Sequence, residues 1–186
     1  GVFSKKIHTV FITHQLNVLT GNTTWISSKM HQHIIRKFDE CWVPDFEDVP
    51  NLTGKLGHLK SPMKNVRYIG PLSRLQKKEV PTQYDLMVIL SGPEPQRSIL
   101  EHRLRDNIEE FQGKVVFICG KMALQQSKIQ IDNVTFYNFM TTAQLEQTYN
   151  ESKIILCRSG YTTVMDLVAL DKKAFFIPTP GQYEQE

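Results

Sequence analysis

Nowhere in these 186 residues is there an apolar run approaching the ~20 residues that cross a bilayer as a helix. The opening Gly1-Val2-Phe3-Ser4-Lys5-Lys6 lacks the apolar stretch of a signal peptide. Charge of one sign is scarce as well. Twenty-two Lys and Arg against 19 Asp and Glu leave a net +3, too little to argue for a nucleic-acid ligand, though a mildly basic surface suits anionic small molecules or lipids. Cysteine is limited to Cys41, Cys119 and Cys157. Each lies in or beside an apolar run, and an odd number cannot pair off, so buried free thiols in a reducing compartment are expected.

What the chain does have is strand and helix patterns in alternation. At 40% hydrophobic and 22% charged it can bury a core, and its length suits one or two domains. His8 to Gln15 reads as a strand with a polar end. Thr23 to Phe38 reads as a helix with Trp25, Ile26, Met30, Ile34 and Ile35 on its apolar side, and Asp39 to Pro44 as the next strand. Pro50, Gly54, Gly57 and Pro62 mark 46–62 as a long loop, and Val66-Arg67-Tyr68-Ile69 is a short strand before Gly70-Pro71. Residues 70–82 mix Pro, Lys and Gln and are the expected linker. A buried strand at Tyr84 to Leu90 restarts the alternation, followed by an amphipathic helix from Gln96 to Phe111 with Ile99, Leu100, Leu104 and Ile108 inward. Lys114 to Gly120 and Val134 to Tyr137 read as strands, and Thr142 to Tyr149 as a helix. The sequence stops at Gln185-Glu186, where a further helix should begin, and reads as an excerpt of a longer protein.

The most informative stretch is 152–170. Ile154, Ile155 and Leu156 form the continuous apolar run of a parallel strand covered on both faces, and Ser159-Gly160 turns the backbone into a helix. Amides at the start of a helix lack intrahelical acceptors and carry partial positive charge, so an anion such as phosphate suits that turn. Ser159, Thr162 and Asp166 share one helical face, while Val164, Leu167 and Val168 lie on another that suits the core. At ~1.5 Å of rise per residue, Asp166 stands roughly 9 Å from Gly160, about the reach from a diphosphate to the ribose of the same nucleotide. On spacing alone an ordinary βα unit with a solvated aspartate fits equally well.

Arg158-Ser159-Gly160-Tyr161-Thr162-Thr163-Val164-Met165-Asp166, then Lys172 to Pro178, then Gln182-Tyr183-Glu184-Gln185, resembles the donor-site signature of GT-B glycosyltransferases. It is most similar to the glycosyltransferase family 28 carboxyl-terminal domain, the family of the peptidoglycan N-acetylglucosaminyl transferases. That family's pattern is Arg-small-Gly-x-x-Thr-x-x-Glu, a proline, a short loop and a glutamine pair. Here Asp166 stands for the glutamate and Glu186 for the second glutamine. The match is close over 84–186 and looser over 1–75.

The resemblance implies an α/β fold of two Rossmann-like domains of GT-B type, both incomplete in this chain. Residues 1–69 would be part of the acceptor-side domain, 70–82 the linker, and 83–186 the nucleotide-sugar domain. It further implies transfer of a sugar from a nucleoside-diphosphate donor, expected to be UDP, to an unidentified acceptor, a lipid-linked one being a candidate. The expected location is the cytoplasm at the inner face of a membrane, with peripheral membrane contact and no nucleic acid. No cofactor or metal is expected, since no Asp-x-Asp pair occurs to clamp a metal-bound diphosphate. The general base would come from a loop preceding Gly1. Donor-binding residues carried over are Ser91, Gly92, Arg97, Met140, Ser159, Gly160, Tyr161, Thr162, Thr163, Asp166 and Gln185. Two prolines, Pro93 and Pro95, follow Ser91-Gly92, so a stiffened loop without phosphate contact is an alternative there, and Arg97 is either a phosphate or closure contact or a surface arginine. Met140 would act through its backbone. Two other functions share the fold: a nucleotide-sugar epimerase and a non-catalytic donor-binding subunit.

Overall fold

The computed structural model describes residues 7–18 and 24–182, which fall into two compact units, Gly1–Leu72 and Ser73–Glu186. The first holds a parallel sheet of β1 (Val10–Ile12), β2 (Glu40–Val43) and β3 (Val66–Tyr68) in that order, with Phe11 opposite Cys41 and Cys41 opposite Val66. Leu16, Ile35, Cys41, Val43 and Met63 form its core. The loop after β2 is organised by Asp45, fully buried, whose carboxylate accepts from the amides of Phe46, Leu52 and Thr53 and from the Thr53 hydroxyl.

Helix α1 (Thr24–Ile35) sits the other way round from the sequence expectation. Of its apolar residues only Ile35 is in the core; Trp25, Ile26, Met30 and Ile34 are exposed. The docked face is polar. Ser28 Oγ accepts from the Val18 amide at 3.0 Å, His31 Nε2 meets Gln15 O at 2.9 Å, and Gln32 Nε2 donates to Asn17 Oδ1 at 3.1 Å. Positions 28, 31 and 35 lie on the side of the helix away from 26, 30 and 34, so directional hydrogen bonds to the 15–18 segment chose the face.

The second unit is a six-stranded sheet. In spatial order it runs β6 (Lys128–Ile131), β7 (Val134–Tyr137), β5 (Val115–Ile118), β4 (Tyr84–Ile89), β8 (Ser152–Arg158) and β9 (Ala174–Ile177). All neighbours are parallel except β6, which pairs antiparallel with β7. Strand β6 was not expected, although Lys-Ile-Gln-Ile alternates and Asp132, at φ +48°, makes the turn back. Alternate residues of the central strands feed two cores. Leu86, Val88, Leu90 and Phe117 pack with Leu100, Leu104 and Ile108 of α2 (Gln96–Ile108); Met87, Ile118, Ile155 and Cys157 pack with Tyr149 of α3 (Thr142–Glu151) and Leu167 and Leu170 of α4 (Tyr161–Leu170). Two expected inward residues are instead exposed: Ile99 on α2 and Val168 on α4. On α2 the buried residues are Arg97, Glu101 and Ile108, so Ile99 falls on the far side of that helix.

Most of the expected linker is not a tether. Leu75 is only 5% exposed and belongs to the core with Met87 and Leu167. The Gln76 amide donates to Glu146 and the Lys78 amide to Asn150 Oδ1, while Asn150 Nδ2 returns a bond to Gln76 O. A buried leucine and paired backbone groups fix 73–82 to the second unit, a result its Pro, Lys and Gln composition conceals.

The start of α2 is pinned by ions. Glu101, 4% exposed, meets Arg97 at 2.9 Å, Arg105 at 3.1 Å and Lys121 at 2.9 Å. Burial alone would raise its pKa, but hydrogen bonds from Lys121 and Arg97 and the charges of Lys121 and Arg105 hold it down to about 2. Its stabilising contribution is therefore full above the ordinary value of 4.5 and is lost as pH falls through about 2. Glu101→Gln should cost about 3 kcal/mol in urea melts at pH 7, because three cations would be left around a neutral amide. The gap between variant and wild type should narrow between pH 4.5 and pH 2; a constant gap would mean that packing, not charge, made the difference.

Candidate functional site

The site is built on β4 and β8, neighbours at the centre of the sheet. Ile89 pairs with Cys157, and continuing that register by two residues brings Ser91 level with Ser159. Parallel neighbours lie about 4.8 Å apart, so the turns after the two strands stand side by side at the carboxyl edge of the sheet. Both contain a glycine with open space above it. Gly92 adopts φ +104°, a conformation that side chains rarely take, and nothing lies within 4 Å of where its Cβ would be. Gly160 is different in kind: at φ −67° and ψ 136° any residue could stand there, yet again nothing lies within 4 Å.

Gly160 is the N-cap of α4 and supplies no side-chain cap. The positive end of the helix dipole thus begins at a residue with no side chain and with open space where one would stand, an arrangement that suits an anion. Thr162 is exposed one residue into the helix, and Ser159, Tyr161 and Thr163 are half-buried around the turn. Asp166 follows on the same face, half-buried, and its Oδ1 accepts a hydrogen bond of 2.6 Å from Ser73 Oγ. Ser73 also accepts from the Leu75 amide at 3.0 Å. The sequence offered no signal for Ser73, which is 93 residues from its partner; only the docking of 73–82 brings it there.

Met140 precedes α3, whose N-cap Thr141 closes a capping box with Gln144. Its side chain packs on the inner core and its sulfur accepts from Thr148 at 3.5 Å, so only its backbone is left for a ligand, as the resemblance implies. It stands at the end of β7, two strands from β4, farther along the same edge.

Arg97 is placed differently from either sequence reading. It is 5% exposed, and its five donors are all used inside the unit. Nε donates to Glu94 at 2.7 Å, Nη1 to Glu101 and to Cys119 O at 2.9 and 2.8 Å, and Nη2 to Ser98 at 2.8 Å and again to Glu94. No donor remains for a phosphate. Arg97 instead ties Glu94, at the end of the turn that follows β4, and Cys119 O, after β5, to the first turns of α2. Gln185, the residue assigned to the donor's sugar, lies outside the described residues, as does Glu186; the preceding Thr179 is buried and Gly181 turns at φ +80°.

Comparison with known proteins agrees with this geometry. The glycosyltransferase family 28 C-terminal domain matches residues 89–186. Two curated relatives are UDP-N-acetylglucosamine--N-acetylmuramyl-(pentapeptide) pyrophosphoryl-undecaprenol N-acetylglucosamine transferases. The one from Haemophilus ducreyi is 22% identical over 100% of this chain and 51% of its own length. The one from Clostridium tetani is 22% identical over 96% of the chain and 48% of its own. The chain thus spans about half the length of the curated relatives it matches. No solved structure matches it. With that domain matching residues 89–186, more than half of its length, the chain belongs to glycosyltransferase family 28.

Proposed function

We propose that residues 73–186 bind the nucleoside-diphosphate end of a sugar donor, expected to be UDP, and that the whole protein transfers the sugar to an acceptor hydroxyl. The observation that carries this reading is the start of α4, where the N-cap Gly160 brings no side chain and has open space beside it, with Asp166 on the same helical face. In this arrangement the diphosphate lies against the amides after Gly160 and beside the Ser91-Gly92 turn. The Asp166 carboxylate accepts from the ribose hydroxyls, with Ser73 steadying its other oxygen. As the sugar departs, charge grows on the diphosphate, and fixed amide dipoles stabilise it without reorganising. Thr162 and Thr163 add hydroxyl donors at the same turn, the backbone at Met140 meets the base, and Gln185 is assigned to the hydroxyls of the sugar. The relatives named above are transferases, which favours transfer over epimerisation or mere donor binding.

The acceptor is proposed to be lipid-linked, as the printed names of the relatives describe for those proteins, and to be met at the cytoplasmic surface of a membrane. One feature of the first unit supports a membrane contact. Ile26, Met30 and Ile34 form an exposed apolar line along α1, with Trp25 beside it and Lys29 Nζ 4.1 Å from the Trp25 ring centre. Arg36 and Lys37, also exposed, extend the basic border. An apolar line edged by cations suits the interface of an anionic bilayer.

Three measurements test these assignments. UDP at millimolar concentration should raise the melting temperature, since a ligand that binds only the folded state stabilises it; no shift would end the donor-site reading. Asp166→Asn keeps an oxygen for Ser73 but removes the charge, so it should fold normally and bind UDP roughly tenfold more weakly by calorimetry; equal affinity would release Asp166 from the ribose role. The chain should co-sediment with vesicles containing anionic lipid, less so in high salt, and Met30→Glu should abolish this. Equal sedimentation of variant and wild type would exclude α1 as the contact.

A further inference from the structure

On the α2 side of the second sheet, a cavity of about 320 Å³ opens between α2 and the ends of β8 and β9. Its walls are apolar, formed chiefly by Ile99, Leu100, Ile177 and Pro180. Two polar groups in its lining are unsatisfied. Arg158 is 3% exposed, and its Nε and Nη2 are buried without a hydrogen-bond partner. Gln96 Oε1 is buried and unpartnered as well. The guanidinium comes to this side because Arg158 alternates in register with Ile154 and Leu156, which pack against the α2 core.

A buried cation without an acceptor is among the most costly arrangements a fold can keep. The contrast within this unit is direct: Arg97, equally buried, satisfies all five donors on Glu94, Glu101, Ser98 and Cys119 O. Among the described residues no carboxylate lines the Arg158 cavity, and the second charged residue there, Arg103, is also a cation and is exposed. Burial pushes the Arg158 pKa down, in keeping with a guanidinium that lacks a counter-charge. A ligand that completed this cavity would place an acceptor on Arg158 and an aliphatic portion between Ile99, Leu100 and Ile177. At roughly 30 Å³ per water-sized group, the volume suits a molecule of ~10 heavy atoms.

We propose that this cavity binds a small amphiphilic anion, with its charged head on Arg158 and a short aliphatic body against α2 and β9. The site is separate from the α4 turn, because α4 packs on the opposite face of the sheet.

The test is calorimetry and nitrogen-15 NMR of the arginine Nε–H signals, using octanoate, hexyl phosphate, octanol and inorganic phosphate on the chain as it stands. Octanoate or hexyl phosphate should bind and shift the Arg158 signal, and whichever binds more tightly identifies the head group. Octanol and inorganic phosphate, each lacking one half of the ligand, should bind at least tenfold more weakly. Arg158→Met keeps much of the side-chain bulk without the charge and should lower affinity for the anionic amphiphile at least tenfold. Saturating UDP should not displace the amphiphile. Equal binding of octanol and octanoate, undiminished binding by Arg158→Met, or competition with UDP would each overturn the proposal. Should Arg158→Met fail to fold, the wild-type panel and the Arg158 signal decide alone: no shift with either anion overturns it.

Discussion

The pairing of β4 with β8 is the constraint on which the second unit depends. These strands touch along most of their length, from Tyr84 opposite Ser152 to Ile89 opposite Cys157, and they are covered on both faces. Two-sided burial makes every residue of the pair count. Met87, Val88, Ile155 and Cys157 are all at most 2% exposed, and burying each such side chain is worth on the order of 1.5–3 kcal/mol before chain entropy is set against it. The chain leaves β4 into a helix on one face and leaves β8 into a helix on the other. Two turns are therefore side by side at one edge. A sheet whose order reverses beside its first strand produces such a crevice whatever ligand it serves.

Glycines at the two turns keep the crevice open, in different ways. Gly92 is there because the backbone needs a positive φ. Gly160 has an ordinary backbone, and what it contributes is the missing side chain in front of a helix start. The electrostatics then follow from α4 itself, since the partial charge at its N-terminus is balanced by no cap from Gly160. Around this turn the protein supplies hydroxyls and one carboxylate, Asp166, and commits its nearby arginine, Arg97, to holding the scaffold.

Two buried arginines show how differently one fold treats the same group. Arg97 and Glu101 form a fully paired network with Arg105 and Lys121, and such a network locks the β4 turn to α2 more than it stabilises the fold overall, because desolvation offsets much of the attraction. Arg158 has no such company. The difference is positional: Glu94, just before α2, and Glu101, on it, stand within about a turn of Arg97 on either side, whereas the described residues that line the Arg158 cavity include no acid.

The sequence by itself determined the period and order of most elements. Continuous apolar runs at 86–90 and 154–157 marked strands buried twice over, and the small-residue turn at 159–160 marked an open helix start, because those features are local and the backbone alone dictates them. The placement of the turns at Ser91-Gly92 and Ser159-Gly160 at one sheet edge was legible for the same reason. Tertiary structure decided what depends on distant partners. Apolar spacing pointed α1 inward through Ile26, Met30 and Ile34, but hydrogen bonds from Ser28 and His31 to 15–18 turned it over. Composition made 70–82 a linker, but Leu75 found a core and Ser73 found Asp166 across 93 residues. The acids that consume Arg97 are local, at i−3 and i+4, and a helical period can pair them; only the fold decides that its side chain is buried and that Cys119 O, from the end of a distant strand, takes one of its donors.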